Sequence, residues 1–315
     1  MKSADIASKK AFIVLNPVAG LVNPVLTKRA IENHFAAKGW QTDFYLTEKD
    51  ENLAVIVGQA IKDGPDIIVA AGGDGTVAAV AAGMLHSPVP LGIIPIGTWN
   101  AIARALLLPF GVARTINLFT GNHQIRELDL MAIGNRLHAM NMGVGFSSTL
   151  TANTGRSEKR RLGSTAYFSQ FFKQLFGLQQ QRYIIMADGK RYRGRAAEIM
   201  IANYGFVGIS MLESSLNIKP DDGKVDILIF RARTVFDLPR MIWELITRRK
   251  THNQKFRLIS AVESIQIIMH PPVAVQADGE LIGETPVTVT VIPRCVKVIV
   301  PPEKPPVIPL QLRQR

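Results

Sequence analysis

The sequence predicts an α/β protein in which a doubly wound parallel sheet precedes a second, mostly antiparallel β domain. Strand and helix patterns alternate over the first 128 residues, and β-rich runs take over from about Glu127. The length of 315 residues exceeds that of one usual domain and allows two sizeable cores. We therefore expect domains over residues 1–128 and 129–302, followed by a Pro-rich tail, 303–315, that is extended or docks on the first domain.

Hydrophobic periodicity predicts each element of the first domain. Apolar runs predict buried strands, and apolar residues at i, i+3 and i+4 predict helices with one apolar face. Breaks such as Gly39 and Gly64-Pro65 mark where helices end. The predicted strands are 10–15, 42–46, 66–71 and 91–95, and the predicted helices are 26–35, 53–61 and one that begins at Thr76. Such repeated βα units imply a parallel sheet that binds ligands beyond the carboxyl ends of its strands.

The second domain shows β-branched and alternating runs separated by turns such as Ala187-Asp188-Gly189-Lys190. Helical patterns near 164–178 and 234–249 interrupt these runs. The predicted strands are 136–144, 182–187, 195–203, 225–230, 264–270, 273–277, 286–292 and 296–300.

Composition excludes several classes of protein. A single cysteine, Cys295, rules out a disulfide framework, and the six histidines show no metal-ligand spacing. We find no signal peptide and no apolar run long enough to form a transmembrane segment, so we expect a cytoplasmic protein that is soluble or peripheral to the membrane. The net charge of +12 favours acidic partners. Because no nucleic-acid-binding pattern is present, an anionic membrane surface is a better candidate partner than nucleic acid.

The segment Gly72-Gly73-Asp74-Gly75-Thr76 joins a buried strand to an Ala-rich helix, as in a phosphate-binding turn. Glycines let backbone N–H groups turn outward, and the positive N-terminal end of the helix faces the same space. Asp74 would repel a bare phosphate, so we expect it to hold Mg²⁺ against a nucleotide or to accept a proton from an attacking hydroxyl. The alternative is a tight strand-to-helix turn in which Asp74 acts as a cap.

Two more loops follow neighbouring strands. The segment 95–104, PIGTWNAIAR, contains a second Gly-Thr turn, where Thr98 offers a hydroxyl to phosphate and Asn100 binds either a ligand or a neighbouring loop. The segment 16–20, NPVAG, follows the first strand and is by itself an ordinary Asn-Pro turn. Because these loops follow strands of one parallel sheet, we expect them to form a single cleft.

Five motifs in fixed order resemble the diacylglycerol kinase catalytic family: NPVAG, GGDGTV, GTWNAIAR, KPDDGKVD and the late DGE. The resemblance covers nearly the whole chain and is strongest to soluble bacterial-type lipid kinases and to the sphingosine and ceramide kinases. It implies an NAD-kinase-like α/β domain that binds ATP and a β-sandwich domain that completes the site. A lipid hydroxyl would be phosphorylated in the cleft between the two domains.

The resemblance also implies roles for individual residues. Asp74 would organise Mg²⁺ and the phosphates, and either Glu280 or Asp74 would take the proton. Asp278 would support Glu280, and Asp129 would belong to the same acidic network. Without the resemblance, a hairpin turn between strands is the preferred interpretation of Asp278-Gly279-Glu280. The implied nucleotide contacts are Asn16, Pro17, Val18, Ala19, Gly20, Thr47, Gly72, Gly73, Asp74, Gly75, Thr76, Val77, Ala78, Thr98 and Asn100.

The resemblance also implies one metal site, and two positions of this sequence differ from the family's usual motifs. Asp222, with carbonyl groups at Lys219 and Lys224, matches a structural Mg²⁺ site of the family, and a plain Asp-Gly turn is the alternative. Ala101 and Ser147 stand where most diacylglycerol-type members have acids. Sphingosine-type members also carry alanine at the first position, so Ala101 shifts the expected substrate, whereas Ser147 leaves both activity and lipid choice open.

The predicted lipid end combines basic and apolar groups. A basic cluster within 156–161 precedes an apolar helical stripe over 167–178, which suits a membrane interface, although the stripe could equally pack on the β domain. The leading hypothesis is an ATP- and Mg²⁺-dependent lipid kinase whose lipid substrate lies at the membrane surface. The alternatives are a kinase of NAD or another soluble metabolite, and a non-catalytic lipid or nucleotide sensor. The oligomeric state stays open, a homodimer included.

Overall fold

A computed structural model describes residues 9–20, 22–49, 51–153, 179–204, 218–237, 239–240, 243–244 and 255–302. The first domain is the predicted parallel sheet flanked by helices, with strand order β2-β1-β3-β4. Its strands are β1 Lys10–Leu15, β2 Gln41–Leu46, β3 Ile67–Gly72 and β4 Leu91–Pro95, and its helices are α1 Pro24–Ala36, α2 Leu53–Lys62, α3 Asp74–Gly83, α4 Ala101–Ala105 and α5 Val112–Thr120.

Local chemistry explains where the first helices begin. The Asn23 side chain accepts hydrogen bonds from the backbone N–H groups of Val25 and Leu26, and Pro24 occupies the first helical position of α1. Helix α3 begins at Asp74, two residues before the predicted Thr76, because the extended backbone of Gly73 already forms the N-cap. The first turn of α3 therefore includes the Asp74 side chain.

The second domain is an antiparallel sandwich, as predicted. One sheet has the order β12-β11-β10-β7-β14-β15, and it faces β5, β8, β13 and β16 across a core that includes Ile185, Ile199, Ile227 and Ile267. The elements are β5 Gln124–Ile133, β6 Arg136–His138, β7 Asn141–Gly145, α6 Phe146–Asn153, β8 Gln181–Ala187, β9 Lys190–Ala196, β10 Glu198–Ala202, β11 Val225–Phe230, a 3-10 turn Val235–Asp237, β12 Phe256–Ala261, β13 Ser264–His270, β14 Ala274–Ala277, β15 Glu280–Glu284 and β16 Val287–Val300.

Several predicted boundaries in this domain were wrong. The predicted strand 136–144 is divided into β6 and β7, because the N–H groups at the break donate to a carboxylate instead of a neighbouring strand. The predicted strands 286–292 and 296–300 form the single strand β16, which continues through a bulge where Arg294 has a φ of 48°. The predicted strand 195–203 contains the end of β9 and all of β10.

Some predictions fall wholly or partly outside the described residues. The predicted helix 164–178 and the tail 303–315 lie outside them. Of the predicted helix 234–249, the structure describes the 3-10 turn and four helical residues, 239–240 and 243–244. Among the residues that the structure describes, no helix combines the length and the apolarity that a bilayer crossing requires.

Strand β16 joins the two parts of the chain into one sheet. It pairs with β5 and β13 in antiparallel fashion, and near its end it pairs with β4 in parallel at Val298 and Leu91. Cys295, Val296 and Val298 are buried in the core of the first domain. The central sheet of the first domain therefore continues without a break into the second.

Helices α2 and α3 approach closely because Gly83 has no side chain. A Cβ atom at Gly83 would lie 2.6 Å from the Ala54 carbonyl oxygen and 2.8 Å from Val57 Cβ. Gly58, on α2, has only ordinary contact distances around the same hypothetical atom.

We predict that Gly83→Ala lowers the free energy of unfolding by about 1–3 kcal/mol, because the two helices must separate to admit the methyl group. The matched variant Gly58→Ala should be neutral or stabilising by up to about 1 kcal/mol, since alanine favours a helix. Urea unfolding of both variants measures the difference. Equal stabilities for the two variants would contradict this account of the helix contact.

Candidate active site

The three loops that follow β1, β3 and β4 meet at one edge of the sheet, as the sequence predicts. A Cβ atom at Gly97 would overlap Gly73 Cα, and one at Gly20 would overlap the Ile96 carbonyl oxygen. Gly20 also has a φ of 63°. The loops are therefore in backbone contact, which only glycine permits at these positions.

Asn16 connects the first loop to the glycine turn. Its Nδ2 donates to Thr76 Oγ1 at 2.9 Å, and its Oδ1 accepts from the N–H of Val18 at 3.1 Å. A Cβ atom at Gly72 would lie 2.5 Å from Thr76 Oγ1. The Thr76 hydroxyl is thus directed toward the first loop, and Gly72 makes room for it.

Asp74 and Asn100 both stabilise the second Gly-Thr turn. Asp74 Oδ1 accepts from the N–H of Ile102 at 2.9 Å, so Asp74 caps α4 although it lies in α3. Asn100 has a left-handed backbone, its Oδ1 accepts from the N–H of Gly97 at 2.9 Å, and its Nδ2 donates to the Gly97 carbonyl at 2.8 Å. The side chain of Asn100 therefore binds its own turn, whereas the prediction named a ligand or a neighbouring loop as its partner.

The remaining predicted nucleotide contacts divide into open and buried positions. Helix α3 has no side-chain cap at Gly73, and open space surrounds the position of a Cβ at Gly75. The exposed residues among these contacts are Val18, Gly20, Gly75 and Thr98. The half-buried residues are Asn16, Pro17, Thr47 and Gly73. The buried residues are Ala19, Gly72, Val77 and Ala78. The uncapped N–H groups and positive end of α3 can therefore attract an anion.

Asp129 is fully buried and binds backbone from two distant segments. Its Oδ2 accepts from the N–H of Gly223 and its Oδ1 from the N–H of Arg294, each at 2.8 Å. Burial raises the pKa of Asp129, and these two N–H groups oppose that rise. Asp129 therefore joins the 220–223 loop to the bulge of β16.

Asp278 binds the break between β6 and β7. Its Oδ2 accepts from the N–H of Ala139 at 3.0 Å, and its Oδ1 accepts from Met140 at 3.0 Å and Asn141 at 3.1 Å. His138 Nδ1 lies 3.4 Å from Asp278 Oδ2. The turn of the hairpin, Asp278-Gly279, has positive φ at both residues, as a two-residue hairpin requires.

Gln276 holds the same turn from inside the sheet. Its Oε1 accepts from the N–H of Gly279 at 3.1 Å, and its Nε2 lies 3.4 Å from Asn141 Oδ1. Glu280 follows the turn as the exposed first residue of β15. The DGE segment is thus the predicted hairpin turn, with Glu280 presented at its end.

Tyr204 is a buried tyrosine on which acidic residues of both domains act. Burial raises the pKa of Tyr204, and the charges of Asp278, Asp129, Asp74 and Asp221 raise it further. Sequence reasoning missed Tyr204, and no pattern around it indicated this position.

The loop 219–224 contains an unsatisfied oxygen. Asp222 Oδ1 is buried and has no hydrogen-bond partner among the described residues, whereas Oδ2 lies 3.4 Å from Lys224 Nζ. Lys219 is exposed and Lys224 is half-buried. No group of three or more His, Cys, Asp or Glu side chains suited to a metal ion occurs in the part of the chain that the structure describes. A cation here would depend on Asp222 together with carbonyl groups and water.

A buried carboxylate occupies the surroundings of Ser147. Glu198, 7% exposed, accepts hydrogen bonds from the Ser147 hydroxyl and N–H at the beginning of α6. Burial raises the pKa of Glu198 to about 8, although the bonds from Ser147 and Phe146 oppose the rise. Sequence reasoning missed Glu198; a single acid within the apolar strand EIMIA was the available signal.

Glycine at position 143 lets this cluster approach the hairpin turn. A Cβ atom there would overlap the Ser147 hydroxyl and would lie 2.7 Å from Gln276 Nε2 and 2.8 Å from Glu198 Oε1. An acidic side chain, that of Glu198 on β10, therefore lies beside position 147, where the resemblance expects an acid.

Known proteins resemble both halves of the chain. The family model of the diacylglycerol kinase catalytic domain matches residues 10–133, and that of the YegS C-terminal NAD kinase beta sandwich-like domain matches residues 140–300. A diacylglycerol kinase of Staphylococcus haemolyticus (strain JCSC1435) is 27% identical over 301 residues, covering 93% of this chain and 88% of its own. A diacylglycerol kinase of Staphylococcus aureus (strain JH9) is 26% identical over 301 residues, and the match covers 93% of this chain and 93% of that protein.

Solved structures share the fold. The crystal structure of a diacylglycerol kinase from Bacillus anthracis str. Sterne superposes with a TM-score of 0.70 at 20% identity, covering 93% of this chain and 97% of that one. A further crystal structure from the same organism gives a TM-score of 0.75 at 24% identity, covering 96% and 98%. The two-domain architecture is common to all three.

We predict that stability falls as pH rises between about 4.5 and about 8, because Glu198 ionises in the unfolded chain before it does so in the folded protein. Glu198→Gln keeps an acceptor for Ser147 and should abolish this part of the pH dependence. Urea unfolding at pH 5.5 and pH 8.5 measures it. The exposed variant Glu263→Gln should behave as wild type, and an unchanged pH dependence in Glu198→Gln would contradict the prediction.

Proposed function

The chain belongs to the diacylglycerol kinase catalytic family and is a lipid kinase, and from this premise we propose that it transfers the γ-phosphoryl group of ATP, with Mg²⁺, to the hydroxyl of a diacylglycerol, a sphingoid base or a related lipid. The observation that carries the proposal is the uncapped N-terminus of α3 at the meeting point of the three glycine loops. Helix α3 also packs against β6, and the residues that follow β6 are bound by Asp278. In this proposal, residues 1–128 bind the nucleotide and residues 129–302 receive the lipid.

The glycine loops support the nucleotide half of the proposal. Phosphate oxygens would accept from N–H groups at the start of α3, close to Gly75 and the exposed Thr98 hydroxyl. The loop 16–20 and Thr47 border the same edge of the sheet, where the N–H of Thr47 donates to the Leu15 carbonyl at 3.0 Å. The open space at Gly75 leaves the beginning of α3 accessible to the phosphates of ATP.

The acidic residues divide into two roles in the proposed mechanism. Asp129 and Asp278 bind backbone N–H groups and so hold their loops in place, which makes them positioning residues. The chemistry is assigned to Asp74 and Glu280. Asp74, which also caps α4 through Oδ1, would hold Mg²⁺ against the phosphates, and Glu280 would orient the lipid hydroxyl and accept its proton. Mg²⁺, when bound, supplies charge neutralisation on the phosphates.

We further propose that Asp222 holds a structural Mg²⁺ together with the carbonyl groups of Lys219 and Lys224. The support is chemical: Asp222 Oδ1 is buried without a partner among the described residues, and carboxylate and carbonyl oxygens are the ligands that Mg²⁺ prefers. The loop is itself bound to Asp129 through Gly223, so order in this loop would extend toward the acidic network.

We propose that the protein acts in the cytoplasm and contacts the membrane peripherally, so that the lipid reaches the site from the membrane surface. The proposal holds for a monomer and for a homodimer. The net charge of +12 supports attraction to anionic lipid. The predicted basic and apolar segment 156–178 lies wholly outside the described residues and carries no part of this argument.

A non-catalytic sensor was suggested by Ala101 and Ser147, and the geometry disfavours it. An acid, Glu198, lies beside Ser147, and Asp74 lies at the beginning of the helix that contains Ala101. Transfer to NAD or another soluble metabolite remains the competing activity, and it is included as an arm of the following test.

We predict that Asp74→Asn lowers turnover by at least about 100-fold while folding as wild type, because asparagine keeps the acceptor for Ile102 and removes only the charge. Asp74→Ala removes both, so it should lose the same activity and about 1 kcal/mol of stability. The assay is transfer of labelled γ-phosphate from ATP to a panel of lipids in mixed micelles, with NAD as a soluble acceptor.

Glu280→Gln in the same assay should lower the rate and leave ATP binding unchanged. Exposed Asp63→Asn, which is remote from the loops, should match wild type. Label on NAD alone would identify the protein as a kinase of a soluble metabolite and contradict the proposed lipid substrate. Full activity in Asp74→Asn would contradict the catalytic role of Asp74.

For the proposed structural metal, Mg²⁺ should raise the thermal unfolding midpoint of the wild type, because an ion bound only by the folded state stabilises it by about 3 kcal/mol at 100 times its dissociation constant. Asp222→Asn should lose this increase. Asp221→Asn, whose side chain lies 3.7 Å from Arg126, should keep it. An equal rise of the unfolding midpoint with Mg²⁺ in the wild type and in Asp222→Asn would contradict a metal site in this loop.

A further inference from the structure

The segment 98–110, which follows β4 and contains α4, presents three large apolar side chains to solvent. Trp99 is 67% exposed, Leu107 is 81% exposed and Phe110 is 41% exposed. A single exposed apolar side chain is common on a protein surface, whereas several within one short segment indicate a contact surface. We call Trp99, Leu107 and Phe110 together the exposed apolar cluster.

Arg104 joins the three members of the exposed apolar cluster. Its Nε donates to the Trp99 carbonyl oxygen at 2.9 Å, and its guanidinium lies 5.1 Å from the ring centre of Phe110. Its own carbonyl oxygen accepts from the N–H of Leu107 at 3.0 Å. The Arg104 side chain is itself exposed, so a cation lies on the surface among these apolar groups.

Leu107 occupies a position that the fold itself does not favour for leucine. Its φ of 55° lies in the left-handed region, where glycine and asparagine are preferred. Its side chain is also largely in water, so it contributes little to the core. Departures from local preference of this kind are expected at functional positions. Leu107 therefore points to a contact outside the chain.

The charge around the exposed apolar cluster fits an anionic surface. The sequence has no acidic residue over 75–126, and Arg104 and Arg114 are exposed within this range. Asp74 contacts the segment, where its Oδ1 accepts from the N–H of Ile102. Tryptophan, phenylalanine and leucine beside arginine are the side chains that enter the headgroup level of a bilayer, and anionic headgroups attract arginine.

We propose that the exposed apolar cluster inserts into the headgroup region of an anionic membrane. The inference rests on the proposed function, and it names the surface that makes the peripheral contact. Trp99 lies between Thr98 and Asn100 in the second Gly-Thr turn, and Gly97 of this turn packs against Gly73 of the first. Docking at the cluster therefore holds the edge of the sheet that carries the glycine loops against the bilayer.

Quenching of tryptophan fluorescence by brominated lipid tests the proposal on the full chain without nucleotide. Vesicles of equal parts phosphatidylcholine and phosphatidylglycerol, brominated in their acyl chains, should quench the wild type relative to the same vesicles without bromine. Trp99→Phe keeps an aromatic group, so it should keep vesicle binding and lose most of the quenching. Trp243→Phe, which replaces another exposed tryptophan, is the matched control and should retain the quenching.

Leu107→Asn removes the apolar group and suits the left-handed backbone. It should therefore unfold in urea as the wild type does, or at higher urea, and bind the anionic vesicles at least about fivefold more weakly. Val262→Asn, in an exposed turn of the second domain, is the matched control and should bind as wild type. Vesicles of phosphatidylcholine alone should bind the wild type at least about fivefold more weakly than the anionic vesicles. Sedimentation with vesicles measures these affinities.

Four results would overturn the proposal: quenching that persists in Trp99→Phe, wild-type vesicle binding by Leu107→Asn, equal binding to both kinds of vesicle, or no binding. Two other occupants have their own signatures, and each would also overturn it. A second copy would give a dimer in sedimentation velocity that Leu107→Asn dissociates, and the tail of this chain would block vesicle binding until residues 303–315 are removed.

The same measurements separate this inference from the proposed kinase activity. Lipid phosphorylation without quenching through Trp99 would reject the exposed apolar cluster as the membrane contact and leave the kinase activity in place. Quenching through Trp99 without phosphorylation of any lipid would support the membrane contact and contradict the proposed function.

Discussion

Hydrogen bonds from backbone N–H groups to the buried carboxylate of Asp129 and to the half-buried carboxylate of Asp278 determine the arrangement of the candidate site. Asp129 holds the 220–223 loop and the bulge of β16, and Asp278 holds the connection between β6 and β7. Each bond joins segments that are more than 90 residues apart in the chain. A buried carboxylate is stable only when such donors surround it, so these acids and their loops must order together.

Glycine plays the corresponding part in the first domain. The loops after β1 and β4 contact one another and the glycine turn through backbone atoms, and the N-terminal end of α3 is left without a side-chain cap. Close backbone packing fixes the loops, while the open position at Gly75 keeps the helix end accessible. Rigid support and open access are the two conditions that a phosphate-binding edge has to meet.

The sequence predicted the parallel sheet because its period and its glycine turns are local signals. It also predicted that the three loops meet at one edge of the sheet, because each loop follows the carboxyl end of a strand in the same parallel sheet. It could not predict that Asp74 caps a helix other than its own, that Gln276 holds Gly279, or that Glu198 reaches Ser147, because each of these contacts joins residues whose separation only the folded chain determines. The broken strand 136–144 has the same cause: Asp278, 139 residues away from Ala139, takes the N–H groups that a continuous strand would have used.

The pairing of β16 with β4 affects how the chain can fold during synthesis. Strand β4 is complete once residue 95 has been made, yet its partner on one side is supplied by residues 287–300. Until then a nascent chain on the ribosome carries an unpaired parallel edge and an apolar surface that Cys295, Val296 and Val298 later cover. Completion of the first domain therefore has to await translation of nearly all of the second domain, and chaperone contact would be most needed in that interval.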